Sequence, residues 1–513
     1  MLTRLDDLRW GVVLATVGAV PLAFSTWTID VFNLTALTVL WLGTTVAWGL
    51  WVAGRGFQFP AAPRLWPAVV AYVAVLVLAT LTSRAPMVSL LGSYGRYGGL
   101  VTIVPAIGLA WLFADGVGRS ERNRRHALMA IALSGLVGAL YLWSQEVGVD
   151  AWGWLEPWDR PPRHPPGALG NSNFSGAHLA LASMPALTLA ARSRGRLGVV
   201  WGVVAALILS GVAVSQSRGA MLAVGAGLIV LGARRSTRRT LVVAAVVAAA
   251  AVGVVALATN DGGSDELFGT RTWSERVDLW EVALRGAGDR PVLGGGPDLF
   301  RLTFEEHAGD ELSGVVSDEP HNVLLDHLDG AGFLGAAGWL AVVAGAATVA
   351  RRGGRETIAW SAMGAAYLAQ AMVSIDVVPL LLWGWIALGG TVATRPRSST
   401  RLRSPVRATG AAVAVIALCV VSLGPFRADM AHRRGIAASN AGEAERALFQ
   451  LEQAVDRHGW EPVFHRRLGV QLVLTSRGGD DEFADRAAVE LRRALDLYPG
   501  DPIAEEWLAL VDG

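Results

Sequence analysis

The chain has 513 residues, 52% of them hydrophobic and only 17% charged, where a soluble protein averages about 25% charged. That deficit fits a polytopic membrane protein rather than an ordinary soluble domain; a formal net charge of +1 says little about partners, and no nucleic-acid partner is expected. All 44 basic residues are arginine, and the single cysteine, Cys419, lies in an apolar run where it can form neither an internal disulfide nor a metal cluster.

A bilayer core of about 30 Å takes roughly 20 apolar residues per helix. By that rule the chain carries thirteen candidate spans, near 10–28, 32–53, 65–83, 98–114, 126–144, 173–191, 197–214, 218–233, 240–258, 332–350, 357–374, 377–394 and 408–425. The fold class expected is therefore all-α, a polytopic membrane protein with about 12–13 transmembrane helices. The first run lacks a small-residue cleavage site and is followed by further spans, so it reads as a retained helix rather than a signal peptide. Trp27, Trp51, Trp66, Trp111, Trp143 and Trp201 fall near span ends, as an interfacial belt requires. The loop AWGWLEPWDRPPRHPP is rigid and aromatic, a surface suited to carbohydrate or lipid.

Arginine placement orients the spans. With the N-terminus cytoplasmic, the inner connections hold 23 arginines and the short outer ones hold 5, namely Arg84, Arg96, Arg160, Arg163 and Arg218. This orientation puts the long polar interruption 259–330 outside, and an odd number of spans puts the C-terminus outside as well. A loop that long is more often a working part than a connector. The expected division is a transmembrane domain over 1–425, with the loop inside it, and a helical domain over 426–513. In the latter, AERALFQLEQAVDRHG and AAVELRRALDLYPGDPIAEEWLAL pattern as tetratricopeptide-type helices, with WEPVFHRRLGVQLV between them. Such an α-solenoid usually presents a binding surface, here for a protein or a glycan.

Five outer segments carry the chemistry: LGSYGRYGGL with Arg96, GALGNSNFSGAHLALASMPAL, SQSRGAML with Arg218, RTWSERVDLWEVALRGAGDRPVLGGGPDLF with Arg271, Arg276 and Arg290, and DEPHNVLLDHLDGAGFLG with His321. Arginine near hydrocarbon is costly unless it is paired or functional. Guanidinium binds phosphate through two parallel hydrogen bonds and keeps its proton, so a lipid-linked diphosphate would account for these side chains. Ion pairs with Asp278, Asp289 or Asp298 would also account for them. An unperturbed imidazole titrates near pH 6.5 and can accept a proton at physiological pH. His321 is the first candidate for that role; His327, His307 and His164 are weaker ones. No metal-ligand spacing occurs on the outer face: Asp326 and Asp329, three apart with one His between, are a poor match. GGGP at 294–297 reads as a turn, not a nucleotide loop.

Taken together, GNSNFSGAHLALA at 170–182, SQSRGAMLAV at 215–224, RVDLWEVALRGAGDRPVLGGGPDLF at 276–300 and HNVLLDHLDGAGFLG at 321–335 resemble the O-antigen ligase and polymerase family of bacterial membrane glycosyltransferases. The resemblance covers roughly residues 90–390. It implies a GT-C-like helical fold in the bacterial inner membrane and metal-independent, inverting transfer without a cofactor. The donor would be a glycan on undecaprenyl diphosphate and the acceptor a hydroxyl on a glycan, lipid or protein. Carried over by motif, Arg218 and Arg276, joined by Arg96, would bind the diphosphate and His321 would be the catalytic base. Asn171, Asn173, Asn322, Asp329 and Arg290 would shape the acceptor side. Asp329 stands where such proteins usually carry Glu, and simple ligases lack the repeat domain. A flippase for a lipid-linked sugar is the alternative, but it should show charged residues within the spans and matched halves, whereas the polar chemistry here gathers on one face.

Overall fold

The computed structural model describes residues 2–56, 65–153, 164–233, 271–309, 312, 317–394, 405–476 and 481–512. Among them there is no strand. Seven helical stretches are long and apolar enough to cross a membrane and three more are shorter but apolar, which agrees with an all-α polytopic membrane protein. Twelve of the thirteen candidate spans fall on helices; the candidate at 240–258 lies outside the described residues. The first differs in length. Helix α1 (Leu2–Ala19) gives way to a short 3-10 turn over Val20–Leu22, because Pro21 has no N–H with which to continue the ladder.

The centre of the bundle is α7 (Ser172–Arg192), buried without a break from Ser175 to Leu189. It packs against α6 (Glu121–Glu146), α8 (Arg196–Val214), α9 (Arg218–Gly232) and α13 (Ile358–Ala371). Small residues on its surface allow that closeness; a Cβ on Gly176 would come within 3.0 Å of the side chains of Ser217 and Ala220 in and before α9. Around this centre, α5 (Leu100–Arg119) packs on α14 (Val378–Val392), α3 (Trp66–Leu81) on α12 (Val323–Arg352), and α15 (Pro405–Ser422) on α2 (Asn33–Arg55). The rest of α15 exposes Val413, Ile416, Leu418, Val420 and Val421, an outer surface for lipid.

The two ends of the bundle differ. At one end, Arg9, Arg55 and Arg119 share Asp6 and Asp115, with Arg9 and Asp115 almost fully buried and paired at 3.1 Å. The arginines that set topology in the sequence thus tie α1, α2 and α5 together. The other end carries the long polar segment and the C-terminal helices. There α10 (Arg271–Asp289) buries Leu279, Val282 and Ala283 against Phe300 and Phe304 of α11 (Phe300–His307); each large side chain so buried contributes about 1.5–3 kcal/mol. α4 (Pro86–Leu91) lies nearby, its Val88 packed with Leu299 and Leu302.

Helix α12 is broken at Gly332, whose φ of 64° no other residue accepts easily. The break receives the GGGP turn: Gly295 N–H donates to Asp329 O at 2.8 Å, Gly296 N–H to Gly330 O at 3.0 Å, and Phe333 N–H to Pro291 O at 2.7 Å. The turn is thus a backbone staple between the polar segment and the helix that follows His321.

The C-terminal helices α16 (Gly424–Asn440), α17 (Ala444–Arg457), α18 (Pro462–Ser476), α19 (Asp481–Leu497) and α20 (Pro502–Asp512) pack in sequence. Two pairs share one contact. A Cβ on Gly435 would meet Leu451 Cγ at 2.7 Å and Ala447 O at 3.4 Å, and one on Gly469 would meet Leu491 Cγ and Ala487 O at those same distances. Asp429 of α16, fully buried, accepts from Ile29 N–H at 2.6 Å, from Asp30 N–H at 3.2 Å and from the Tyr94 hydroxyl. This carboxylate fastens the C-terminal helices to the membrane part, on the end that bears His321.

Candidate active site

Three segments meet at the polar end. Helix α9 begins there with Arg218; Ser217 caps it by accepting from Ala220 N–H at 3.2 Å. The guanidinium thus sits at a helix N-terminus, where the free N–H groups and the macrodipole add to its attraction for an anion. Helix α10 brings Arg276. The spacing 276, 279, 283 places it on the same face as buried Leu279 and Ala283, so it turns inward and is half-buried, while Arg285 and Arg290 are exposed. The third segment carries His321 just before α12. Asn322 caps that helix, accepting from Leu324 and Leu325 N–H at 3.0 and 3.2 Å and donating to Met372 O at 3.1 Å. The next residue, Val373, is 3.6 Å from where a Cβ on Gly219 would lie. The Met372–Val373 corner therefore ties the start of α9 to the start of α12.

The electrostatics follow from this meeting. Burial and the charge of Arg218 hold Arg276 below its ordinary pKa, and among the described residues no carboxylate pairs with Arg276. Burial, then Arg276 and Arg96, push His321 down to about 4, against the opposing pull of Asp318. At neutral pH the imidazole is uncharged, with a lone pair available. Arg96 is engaged by Asp318 through two hydrogen bonds of 2.7 and 2.8 Å. Burial opposes its charge, yet Glu319 and Asp318 hold its pKa above the ordinary value. Arg96 is thus paired, in contrast to Arg276 among the described residues.

Backbone strain marks the same region. Among the described residues, the non-glycine positions with positive φ are Tyr97, Gln216, Asp298 and His321. Tyr97 follows Arg96, Gln216 precedes Arg218 by two residues, and Asp298 closes the Arg96 loop by accepting from Ser93 and Gly98 N–H at 2.6 and 2.8 Å. Such residues cost of order 1–3 kcal/mol each and cluster at functional sites.

The remaining candidates are placed as follows. Asn171 caps α7, accepting from Asn173 N–H at 2.8 Å, and both are exposed. Asp329 is buried, accepting from the Thr303 hydroxyl at 2.9 Å beside the Gly332 break. His307 pairs with Asp289 at 2.9 Å. His327 hydrogen-bonds the Tyr72 hydroxyl at 2.9 Å and packs against Trp339. His164 is half-buried in the Pro-rich loop. The side chain of Arg271 lies outside the described residues. Among the described residues, no three His, Cys, Asp or Glu side chains gather as a metal ion would require. The sequence reading overlooked Asp318, whose signal was its place in DEPHN two residues before Pro320, and treated Asp298 only as an arginine partner.

Comparison with known proteins bears on this arrangement. Residues 203–340 match a family model described as O-antigen ligase (Wzy_C). The matched stretch contains Arg218, Arg276, His321 and Asp329. No curated protein matches the chain.

Proposed function

We propose that the chain is a membrane glycosyltransferase that moves a glycan from an undecaprenyl-diphosphate-type donor to an acceptor hydroxyl on the extracytoplasmic face. One observation carries this reading: Arg218, Arg276 and His321, from three separate segments, converge at one end of the bundle, with an arginine that has no carboxylate partner among the described residues beside an uncharged imidazole. The match to the O-antigen ligase model supports the class, and the 23-to-5 arginine distribution supports the outer face of a bacterial cell membrane as the side.

Each group has a part. Arg218, at the head of α9, and Arg276 hold the diphosphate. Fixed charges of this kind neutralise the leaving group without reorganising. His321 takes the proton of the acceptor hydroxyl as its oxygen bonds to the anomeric carbon. The bond from that carbon to the phosphate oxygen breaks, and the lipid diphosphate leaves with the electron pair on the arginine side. Attack from the face opposite the leaving group inverts the anomeric centre. Burial first, then Arg276 and Arg96, hold His321 at about 4, which makes the free group a weak base. The bound diphosphate offsets the arginine part of that depression and so strengthens the base. An apolar groove of about 420 Å³ among α9, α12, α13 and α14 gives an isoprenoid tail a place along the spans. The C-terminal helices, with their repeated glycine contact, fit a short tetratricopeptide-like array.

The test is transfer by purified protein in nanodiscs, with lipid-linked oligosaccharide and candidate acceptors. His321→Ala abolishes product, a loss of 10²–10⁴-fold being typical for a general base, and leaves lipid binding intact. Arg218→Ala weakens both. Normal product from His321→Ala protein ends the assignment, and a ladder of products rather than a single transfer distinguishes polymerase from ligase.

A further inference from the structure

We propose that the cavity between the C-terminal helices and the outer loops is a saccharide subsite that holds the acceptor, with Glu461 bonding its hydroxyls. It rests on the transferase reading above and adds where the acceptor binds. The cavity measures about 180 Å³ and has two walls. Tyr94, Asp298 and Asp318 come from the membrane part, and Glu461, Arg466 and Tyr498 from the C-terminal helices.

Charge decides what fits. Arg466 is paired with Asp501 at 2.6 Å and Asp318 with Arg96, so these charges are already satisfied and a charged ligand would have to break a pair. Glu461 differs. It is only 4% exposed. One of its oxygens accepts from Val463 N–H at 3.3 Å, and the other has no hydrogen-bond partner among the described residues. That oxygen can take a ligand hydroxyl, and in the membrane-side wall Asp298 Oδ1 is buried without a hydrogen-bond partner among the described residues, a state that costs about 1–3 kcal/mol. Burial raises the Glu461 pKa to about 8, so near neutral pH it holds a proton and can both donate and accept, as hydroxyls do. The tyrosines add aromatic surface, which sugar rings favour. The ligand class is a neutral, hydroxyl-rich saccharide.

Position supports the acceptor role. Asp318 lines this cavity and also acts electrostatically on His321. The cavity therefore reaches the Arg96–Asp318 pair, whose charges act on the imidazole. An acceptor entering between the C-terminal helices and the loop would approach the base past that pair.

The experiment uses full-length protein in nanodiscs with two probes: immobilised neutral di- to tetrasaccharides, and undecaprenyl diphosphate alone. Val463→Trp, which fills the cavity from the C-terminal wall, and Glu461→Leu, which keeps the bulk and removes both oxygens, are compared with wild type, with thermal unfolding as the check on folding. The expected result is saccharide binding by wild type, at least tenfold weaker in both variants, with undecaprenyl diphosphate binding unchanged. Saccharide binding that survives both variants overturns the subsite, as does wild-type protein that binds undecaprenyl diphosphate but no saccharide. Saccharide binding without lipid diphosphate binding leaves the subsite standing and removes the donor assignment, and binding of neither removes both.

Discussion

Asp318 grips Arg96 through both carboxylate oxygens, at 2.7 and 2.8 Å, and this pair stands beside His321. The imidazole feels the two partners in opposite senses, Arg96 lowering its pKa and Asp318 raising it. As the proposed base, His321 acts in its neutral form, so activity should be lost as pH falls through its pKa. In the free enzyme that limb belongs near pH 4, and it appears in kcat/KM. Arg96→Gln removes a depressing charge and moves the limb upward, toward 6.5; Asp318→Asn moves it downward. A kcat/KM profile unchanged in both variants would show that the imidazole is not the titrating group.

Arg276 works against its own neighbour. Its charge lies in the field of Arg218 without a carboxylate partner among the described residues. Arg276→Gln should therefore leave the ligand-free protein at least as heat-stable as wild type. A hydrogen bond to a charged group is worth about 1.5–3 kcal/mol, so undecaprenyl diphosphate affinity should fall by roughly 10- to 100-fold. Thermal unfolding with and without lipid diphosphate reads both effects, and a large loss of stability in the ligand-free state would assign Arg276 to structure instead.

The φ of 55° at His321 offers a separate check. Asparagine tolerates the left-handed region better than most residues. His321→Asn should keep stability within about 1–3 kcal/mol of wild type, the scale of such strain, while transfer disappears. If the variant unfolds well below wild type, His321 is holding the fold.

Asp429 concentrates three hydrogen bonds from Ile29, Asp30 and Tyr94 on one buried carboxylate. Asp429→Ala leaves those donors unmatched, at about 1–3 kcal/mol each, and should loosen the C-terminal helices from the membrane part. Limited proteolysis then releases a fragment beginning near residue 424 much faster than from wild type. Equal digestion rates would place the fastening elsewhere.

Much of this was legible in the sequence because hydrocarbon constrains composition so strongly. Twelve candidate spans fall on helices, and the segments bearing Arg218, Arg276 and His321 stood out as polar residues against apolar runs. Pro21 shortened α1 in a way that span-length arithmetic could not register. The pairing of Arg96 with Asp318 was not readable, since the two residues are far apart in sequence and several carboxylates were equally available. The inward turn of Arg276 was implicit in its spacing from Leu279 and Ala283, but only once α10 was known to be a helix with a buried face. Asp298 looked like a partner for arginine; its work on backbone N–H groups of another loop leaves no sequence pattern.

The staple at the Gly332 break has a mechanical consequence. Three backbone hydrogen bonds lock the 291–296 turn, which follows directly on α10, to the segment of α12 that follows His321, so Arg276 and His321 travel as one jaw. Arg218 rides on α9, which packs on α7 and α13 and whose start lies beside the Met372–Val373 corner. The charge of Arg218 opposes that of Arg276, so in the proposed transferase a doubly charged headgroup would relieve a repulsion that the ligand-free protein carries.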